Sequence, residues 1–268
     1  MKKSLWLIAT SLLFAACQTA PKSSAPPAAV AAASTAAVAT TPAASIPFWP
    51  ADGKFPGRGE TSGWKDFPKH NAQRRALFAA HAAEEHDGLV FVGDSITEGW
   101  HTQAQDFADL GVKIVNRGIG GDTTPNLLYR LQDDVLALQP RALVILIGTN
   151  DLGQHTPPAD IAANLAELHT RIRAAYPQIP IAWCLVMPRG DGDFTPQIHE
   201  LNDRIRQLVA NDPLITVCDT YTPLAGTDGK DNPADFLPDN LHLNANGYAV
   251  WRKALHPIVA SWNLKSDR

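Results

Sequence analysis

From residue 68 onward, short apolar runs alternate with longer amphipathic stretches, and this alternation constrains the fold of the 268-residue chain most. The short runs read as buried strands and the longer stretches as helices. Strands joined by helices form a parallel sheet covered on both faces, so we predict an α/β fold, a three-layer α/β/α flavodoxin-like domain. The five predicted strands cover residues 89–93, 112–116, 142–148, 181–187 and 215–218. The predicted helices cover residues 71–85, 97–109, 123–138, 158–176, 196–211 and 245–262.

The first 17 residues have the pattern of an export signal. Lys2 and Lys3 precede an apolar run over residues 5–16, which is too short to span a bilayer comfortably. Small residues directly before Cys17 resemble the lipobox of bacterial lipoproteins, which predicts lipidation of Cys17. Gln18 then favours anchoring in the outer membrane. The alternative is an ordinary signal cleaved nearby, which would leave the protein periplasmic or secreted.

Residues 18–46 are almost entirely Ala, Pro, Ser and Thr, which predicts an extended tether between the signal and one domain over residues 47–268. After residue 22 the chain has 20 basic against 27 acidic side chains. This negative charge argues against nucleic acid or anionic lipid as the main partner. We therefore expect membrane contact only through the N-terminal lipid anchor.

Ser95 stands where the first predicted strand runs into a helix, within Gly93-Asp94-Ser95. In a parallel sheet the ligand crevice lies beyond the carboxyl ends of the strands, so this hydroxyl is expected to face the crevice. Unpaired amides at the helix N-terminus can stabilise developing negative charge. A nucleophile and an ordinary helix N-cap fit this motif equally well.

Two more candidate residues follow the second and third predicted strands. Gly121 belongs to a glycine-rich turn whose amides can approach a ligand, but the turn lacks the order and the lysine of a phosphate loop. Asn150 carries an amide that can donate to an oxyanion without bringing charge. Taken singly, each fits an ordinary turn residue as well.

Asp239 and His242 lie in a loop before the last predicted helix. Their spacing lets the carboxylate hold one ring nitrogen while the other faces a serine, as a general base requires. This pair alone is a weak signal, since similar pairs are common on surfaces. Its place at the same sheet edge as the turns above makes an active site the better joint interpretation.

Together the motifs Gly93-Asp94-Ser95, Gly121, residues 148–151 and Asp239-x-x-His242 resemble the four blocks of the SGNH (GDSL) hydrolase superfamily. The stretches 116–124, 186–190 and 239–248 are most similar to catalytic subunits of platelet-activating factor acetylhydrolase and their bacterial acetylesterase relatives. The resemblance implies a Ser95–His242–Asp239 triad, with an oxyanion hole formed by the amides of Ser95 and Gly121 and the Asn150 side chain. It also implies a small acyl pocket at Ile96, Thr149 and Leu241.

The implied chemistry is acyl transfer from an ester to water, which requires no cofactor and no metal. Although nine histidines are present, HExxH is absent. Cys184 and Cys218 fall inside apolar runs, where buried free thiols are a better interpretation than a disulfide. Trp100 is the tryptophan expected nearest the site, and Arg189 with Asp191 are candidates for contact with the leaving group.

Three functional hypotheses follow. The first is a carboxylesterase that removes short acyl groups, above all acetyl, from a carbohydrate or similar small-molecule alcohol. The second is a lysophospholipase or thioesterase, which would need a longer acyl channel. The third is a non-catalytic envelope binding module, which the intact set of site residues disfavours. The acetylhydrolase relatives pair their catalytic subunits, so a homodimer stands beside a monomer as an alternative.

Overall fold

A computed structural model of the protein describes residues 49–264. The predicted signal, its Cys17 and the tether over residues 18–46 lie outside the described residues. The described part contains a five-stranded parallel sheet with the order β2-β1-β3-β4-β5. Strand order 2-1-3-4-5 is that of flavodoxin-like folds, so the predicted α/β class and strand number are confirmed.

The strands are β1 Leu89–Gly93, β2 Ile114–Gly118, β3 Ala142–Leu146, β4 Ile181–Cys184 and β5 Ile215–Cys218. In the central register Gly93 of β1 is level with Gly118 of β2 and Leu146 of β3. Three strands therefore end side by side, and the loops that follow them meet at one edge of the sheet.

Eight α-helices surround the sheet in the described residues: α1 Phe67–His81, α2 Ser95–Glu98, α3 Gln103–Asp106, α4 Thr124–Asp134, α5 Thr149–Gly153, α6 Pro158–Ala175, α7 Thr195–Val209 and α8 Ala245–Ser261. None of the helices among residues 49–264 is long and apolar enough to cross a membrane. The predicted helix over 97–109 is wrong as one element, because α2 ends at Glu98 and α3 begins only at Gln103.

The core lies on both faces of the sheet. Along β1, Val90 and Val92 belong to one apolar cluster with side chains of α4, α6 and α7, whereas Leu89 and Phe91 belong to a second cluster with α8. Successive side chains of a strand point to opposite faces, which explains this division. The sheet is thus buried from both sides, and its carboxyl edge is left to carry polar groups.

Cys184 and Cys218 are neighbours in the register of β4 and β5, and both are buried free thiols. Burial, together with the adjacent Cys218 thiol, raises the pKa of Cys184 well above its usual value. A raised pKa keeps the thiol protonated and unreactive.

Candidate active site

Ser95, His242 and Asp239 form one hydrogen-bonded chain at the carboxyl edge of the sheet. Ser95 Oγ lies 2.8 Å from His242 Nε2, and His242 Nδ1 lies 2.7 Å from Asp239 Oδ2. The carboxylate keeps the ring proton on Nδ1, so Nε2 is free to accept the serine proton. Residues 147 positions apart are thereby brought into one arrangement that could serve as a nucleophile, a base and its orienting acid.

The loop around His242 is held mainly by hydrogen bonds between its own residues. Asp239 Oδ1 accepts hydrogen bonds from the amides of Leu241 (3.1 Å) and His242 (2.9 Å). Burial acts to raise the pKa of Asp239, but the hydrogen bonds from the His242 amide and ring hold it below its usual range. The Asp239 carboxyl therefore stays ionised at neutral pH, which its 48% side-chain exposure also favours.

Gly121 and Asn150 lie on the other side of Ser95. Gly121 has a positive φ of 83°, a conformation that a side chain would strain. The Asn150 side chain donates to the carbonyl of Asp122 at 2.9 Å, which connects α5 to the glycine turn. A Cβ atom added to the adjacent Gly120 would lie 3.6 Å from Ser95 Cβ, so the turn packs directly against the serine.

Three fully buried aspartates lie beneath this edge. Asp94 accepts from the Ile96 amide at 2.9 Å, and Asp151 accepts from the Thr124 amide at 3.0 Å. Burial raises the pKa of Asp94 to about 7 and the pKa of Asp122 and Asp151 to about 6. We call Asp94, Asp122, Asp151 and Arg130 the buried floor of the site.

Arg130 of α4 is the cation of the buried floor. Its Nε donates to Asp122 Oδ2 at 2.7 Å, and its Nη2 donates to the carbonyls of Gly93 (3.2 Å) and Arg117 (2.8 Å). One guanidinium therefore ties the ends of β1 and β2 to the residue that follows Gly121. A buried ion pair of this kind is costly to break because it leaves a charge without a partner.

Glu98 and His70 also reach the site, and sequence reasoning missed both. Glu98 Oε2 accepts from the Gly120 amide at 2.5 Å and lies 2.9 Å from His70 Nε2. Glu98 follows Ser95 by three residues in α2, a spacing that places both on one helix face and that would have identified it. His70 comes from α1, and no local pattern connects it with Ser95.

The acyl-pocket candidates have different surroundings. Ile96 is buried in the apolar cluster of Phe91, whereas Leu241 is half-buried. Thr149 is buried, and Arg189 Nη1 donates to its carbonyl at 2.7 Å. Thr149 thus lies at the start of α5 and Leu241 lies next to His242 in the chain, while the side chain of Ile96 packs into the core.

Trp100 is not placed as predicted. Its side chain is 1% exposed in an aromatic cluster with Trp251, and its ring nitrogen donates to Asp106 at 2.7 Å. Arg189 pairs with Asp191 and stacks over Phe194, so it supports the Thr149 turn.

Within residues 49–264 no group of three or more His, Cys, Asp or Glu side chains is arranged to hold a metal ion.

Several known proteins are similar to this chain in sequence or in fold. Platelet-activating factor acetylhydrolase IB subunit alpha1 of Pongo abelii is 29% identical over 189 residues, which cover 68% of this chain and 79% of that protein. A GDSL-like lipase from Bacteroides thetaiotaomicron superposes with a TM-score of 0.60 at 25% identity, covering 73% of this chain and 98% of that one. Axe2, an acetylxylan esterase from Geobacillus stearothermophilus, shares the fold with a TM-score of 0.54 at 22% identity, covering 69% and 99% of the two chains.

The fold and the site together define an α/β enzyme that hydrolyses carboxylic esters. The model of the GDSL-like lipase/acylhydrolase family matches residues 91–250, and the chain belongs to this family. The resemblance stated from the sequence motifs is thereby confirmed.

Proposed function

We propose that the protein is an acetylesterase in which Ser95 is the nucleophile, His242 the general base and Asp239 the acid that orients it. The observation that carries this proposal is the continuous chain Ser95 Oγ to His242 Nε2 (2.8 Å) and His242 Nδ1 to Asp239 Oδ2 (2.7 Å). His242 removes the Ser95 proton as the oxygen attacks the ester carbonyl, and then returns it to the departing alcohol.

The negative charge of the tetrahedral intermediate is held by the amides of Ser95 and Gly121 and by the Asn150 side chain. The support for this assignment is that the Gly120–Gly121 turn packs against Ser95 and that Asn150 is bonded to the residue after Gly121. Water then attacks the acyl-enzyme with His242 again as base, which releases the acid and restores Ser95.

A short acyl group and a neutral alcohol suit these surroundings. Polar side chains approach Ser95 from several elements, with His242 bonded to it and Glu98 and His70 beside the neighbouring Gly120. Such a lining favours acetyl over a long apolar chain, which needs an apolar channel. The excess of acidic side chains disfavours an anionic surface, so we infer a carbohydrate or similar polyol as the alcohol.

The test is hydrolysis of p-nitrophenyl acetate, butyrate and octanoate by the full-length chain in mild detergent. We expect acetate to be preferred and Ser95→Ala to lower kcat by roughly 10⁶-fold, with the exposed Ser261→Ala at the end of α8 as the unaffected control. Preference for octanoate would favour a lysophospholipase or thioesterase. If none of the three esters is hydrolysed in a Ser95-dependent way, the non-catalytic binding module becomes the favoured hypothesis.

We also propose that Cys17 is lipidated and anchors the protein in the outer membrane. The support is the export signal and the small residues before Cys17. Cys17→Ser should move the protein from the membrane fraction to the soluble fraction and abolish labelling by a radioactive fatty acid. An unchanged amount of protein in the membrane fraction would reject the anchor.

Light scattering of the purified protein distinguishes a monomer from a homodimer.

A further inference from the structure

A segment outside the region matched by the family lies against the oxyanion side of the site. We call residues 57–67 the N-terminal clamp, since they precede the matched residues 91–250. The Arg58 amide donates to Asn164 Oδ1 at 2.8 Å, and Asn164 Nδ2 donates back to the Arg58 carbonyl at 2.7 Å. Asn164 is buried in α6 and also donates to Thr124 Oγ1, which in turn donates to Asp151. The clamp is therefore bonded, through two side chains, to the buried floor.

Trp64 is the exposed aromatic residue of the N-terminal clamp. The Phe67 amide donates to the Trp64 carbonyl at 3.0 Å, and the Trp64 amide donates to Ser62 Oγ at 3.3 Å, so a tight turn fixes its position. A Cβ atom added to Gly121 would lie 3.4 Å from Cε3 of Trp64. The indole thus packs beside the glycine of the oxyanion turn, yet it is 46% exposed.

His70 continues the surface from Trp64 towards the serine. The two ring centroids are 5.3 Å apart. A single Cβ atom added to Gly120 would lie 3.3 Å from His70 Nε2 and 3.6 Å from Ser95 Cβ. Trp64 and His70 therefore form a continuous wall. His70 and Ser95 lie on either side of Gly120, and Trp64 extends the wall into solvent.

This wall has the chemistry of a sugar-binding surface. Among residues 49–264 only Trp64, Leu77 and Leu237 are exposed large hydrophobic side chains, and of these Trp64 is the one that packs beside Gly121. A pyranose ring has an apolar C–H face that suits the flat indole and a hydroxyl edge that suits the Glu98 and His70 side chains. A fatty acyl chain would instead require apolar surface on several sides.

We propose that Trp64 and His70 form a leaving-group subsite that binds the sugar ring carrying the ester. This inference rests on the proposed acetylesterase function and adds the residues that recognise the alcohol. The N-terminal clamp that supplies Trp64 lies outside the residues that the family model matches.

The kinetic test compares acetylated xylo-oligosaccharides with ethyl acetate, which has the same acyl group and no ring to bind. Trp64→Ala in the full-length chain should lower kcat/KM for the sugar ester about tenfold, mainly through KM, and should change ethyl acetate hydrolysis less than about twofold. Trp64→Phe should retain most of the activity on the sugar ester. The control is Leu77→Ala, whose side chain is similarly exposed at 51% and which should change neither reaction.

Binding is measured separately from catalysis by calorimetric titration of xylotetraose into the Ser95→Ala protein, with and without Trp64→Ala. We expect Trp64→Ala to raise the dissociation constant for xylotetraose about tenfold, in line with the expected change in KM. Equal losses on both esters would mean that Trp64 only supports Gly121, and unaltered sugar binding would mean that it makes no contact; either result overturns the subsite. Failure of the acetylesterase proposal is a different result, namely no Ser95-dependent hydrolysis of either ester while xylotetraose still binds.

Discussion

The two sides of the candidate active site are held in different ways. On the oxyanion side, Gly121 and Asn150 rest on the buried floor, where Arg130 joins two strand ends and Asp122 in one network. On the base side, Asp239 and His242 lie in a half-exposed loop whose hydrogen bonds are mostly local.

The difference follows from what each side has to do. Oxyanion donors must point at the developing charge before it forms, and a buried, bonded floor holds them without reorganisation. The base has to accept and return a proton, and one strong carboxylate contact is enough to orient its ring. Changes on the base side should therefore affect catalysis alone, whereas changes in the floor should affect folding first.

Among the variants that compare the two sides, Asp239→Asn on the base side should have the largest effect. We expect kcat to fall roughly 10⁴-fold, because an amide in place of the carboxylate no longer keeps the ring proton on Nδ1 of His242. The free energy of unfolding should change by less than about 1 kcal/mol, since the Asp239–His242 pair is substantially exposed. Steady-state kinetics and urea unfolding of the same preparation test both expectations, and a large loss of stability would contradict the comparison.

The next largest effect should come from Arg130→Met in the buried floor. Removing the guanidinium leaves Asp122 buried without its cation, which should lower the free energy of unfolding by about 3–5 kcal/mol. The matched control is Arg204→Met, because Arg204 pairs with Glu200 on the surface of α7 and should contribute less than about 1 kcal/mol. Similar urea midpoints for the two variants would show that the floor does not stabilise the fold.

The third effect, spread over several pH units, is a pH dependence that Asp94 gives to stability. Burial raises its pKa from 3.8 to about 7, so the folded protein keeps a proton that the unfolded chain loses between these pH values. The contribution of Asp94 to the free energy of unfolding therefore falls as pH rises from about 4 to about 7, by at most about 1.4 kcal/mol per pH unit. Asp94→Asn stays neutral, and its stability relative to the wild type should increase across this range.

Asp212 provides a control of opposite sign. Burial opposes the shift, but hydrogen bonds from Arg173, His169 and the Leu214 amide lower its pKa to about 2. Its contribution to stability is present above pH 3.8 and is lost as pH falls towards about 2. Asp212→Asn should accordingly be less stable than the wild type at neutral pH and approach it in acid. For Asp94, the raised pKa would be contradicted if the free energies of unfolding of Asp94→Asn and of the wild type changed equally between pH 4 and pH 7.

Much of the fold can be predicted from the sequence because buried apolar residues recur with different periods in strands and in helices. β1 and β5 have the predicted bounds, whereas β2 begins and ends two residues later than predicted, at Ile114 and Gly118. The displacement comes from pairing with β1, which sets where β2 ends, and such pairing is not encoded locally. Trp100 was misplaced for a similar reason, since its packing partner Trp251 lies far along the chain.

The sequence by itself determined the α/β class, the order of the motifs and the family to which the protein belongs. These depend on the period of apolar residues and on residue types next to strand ends, both of which are local properties. Only the tertiary structure decided that Arg130 lies under the oxyanion turn, that Glu98 and His70 meet at Gly120, and that Trp64 stands exposed beside Gly121. Each of these depends on how distant segments pack, and contacts between residues remote in sequence leave no local pattern for a single chain to reveal.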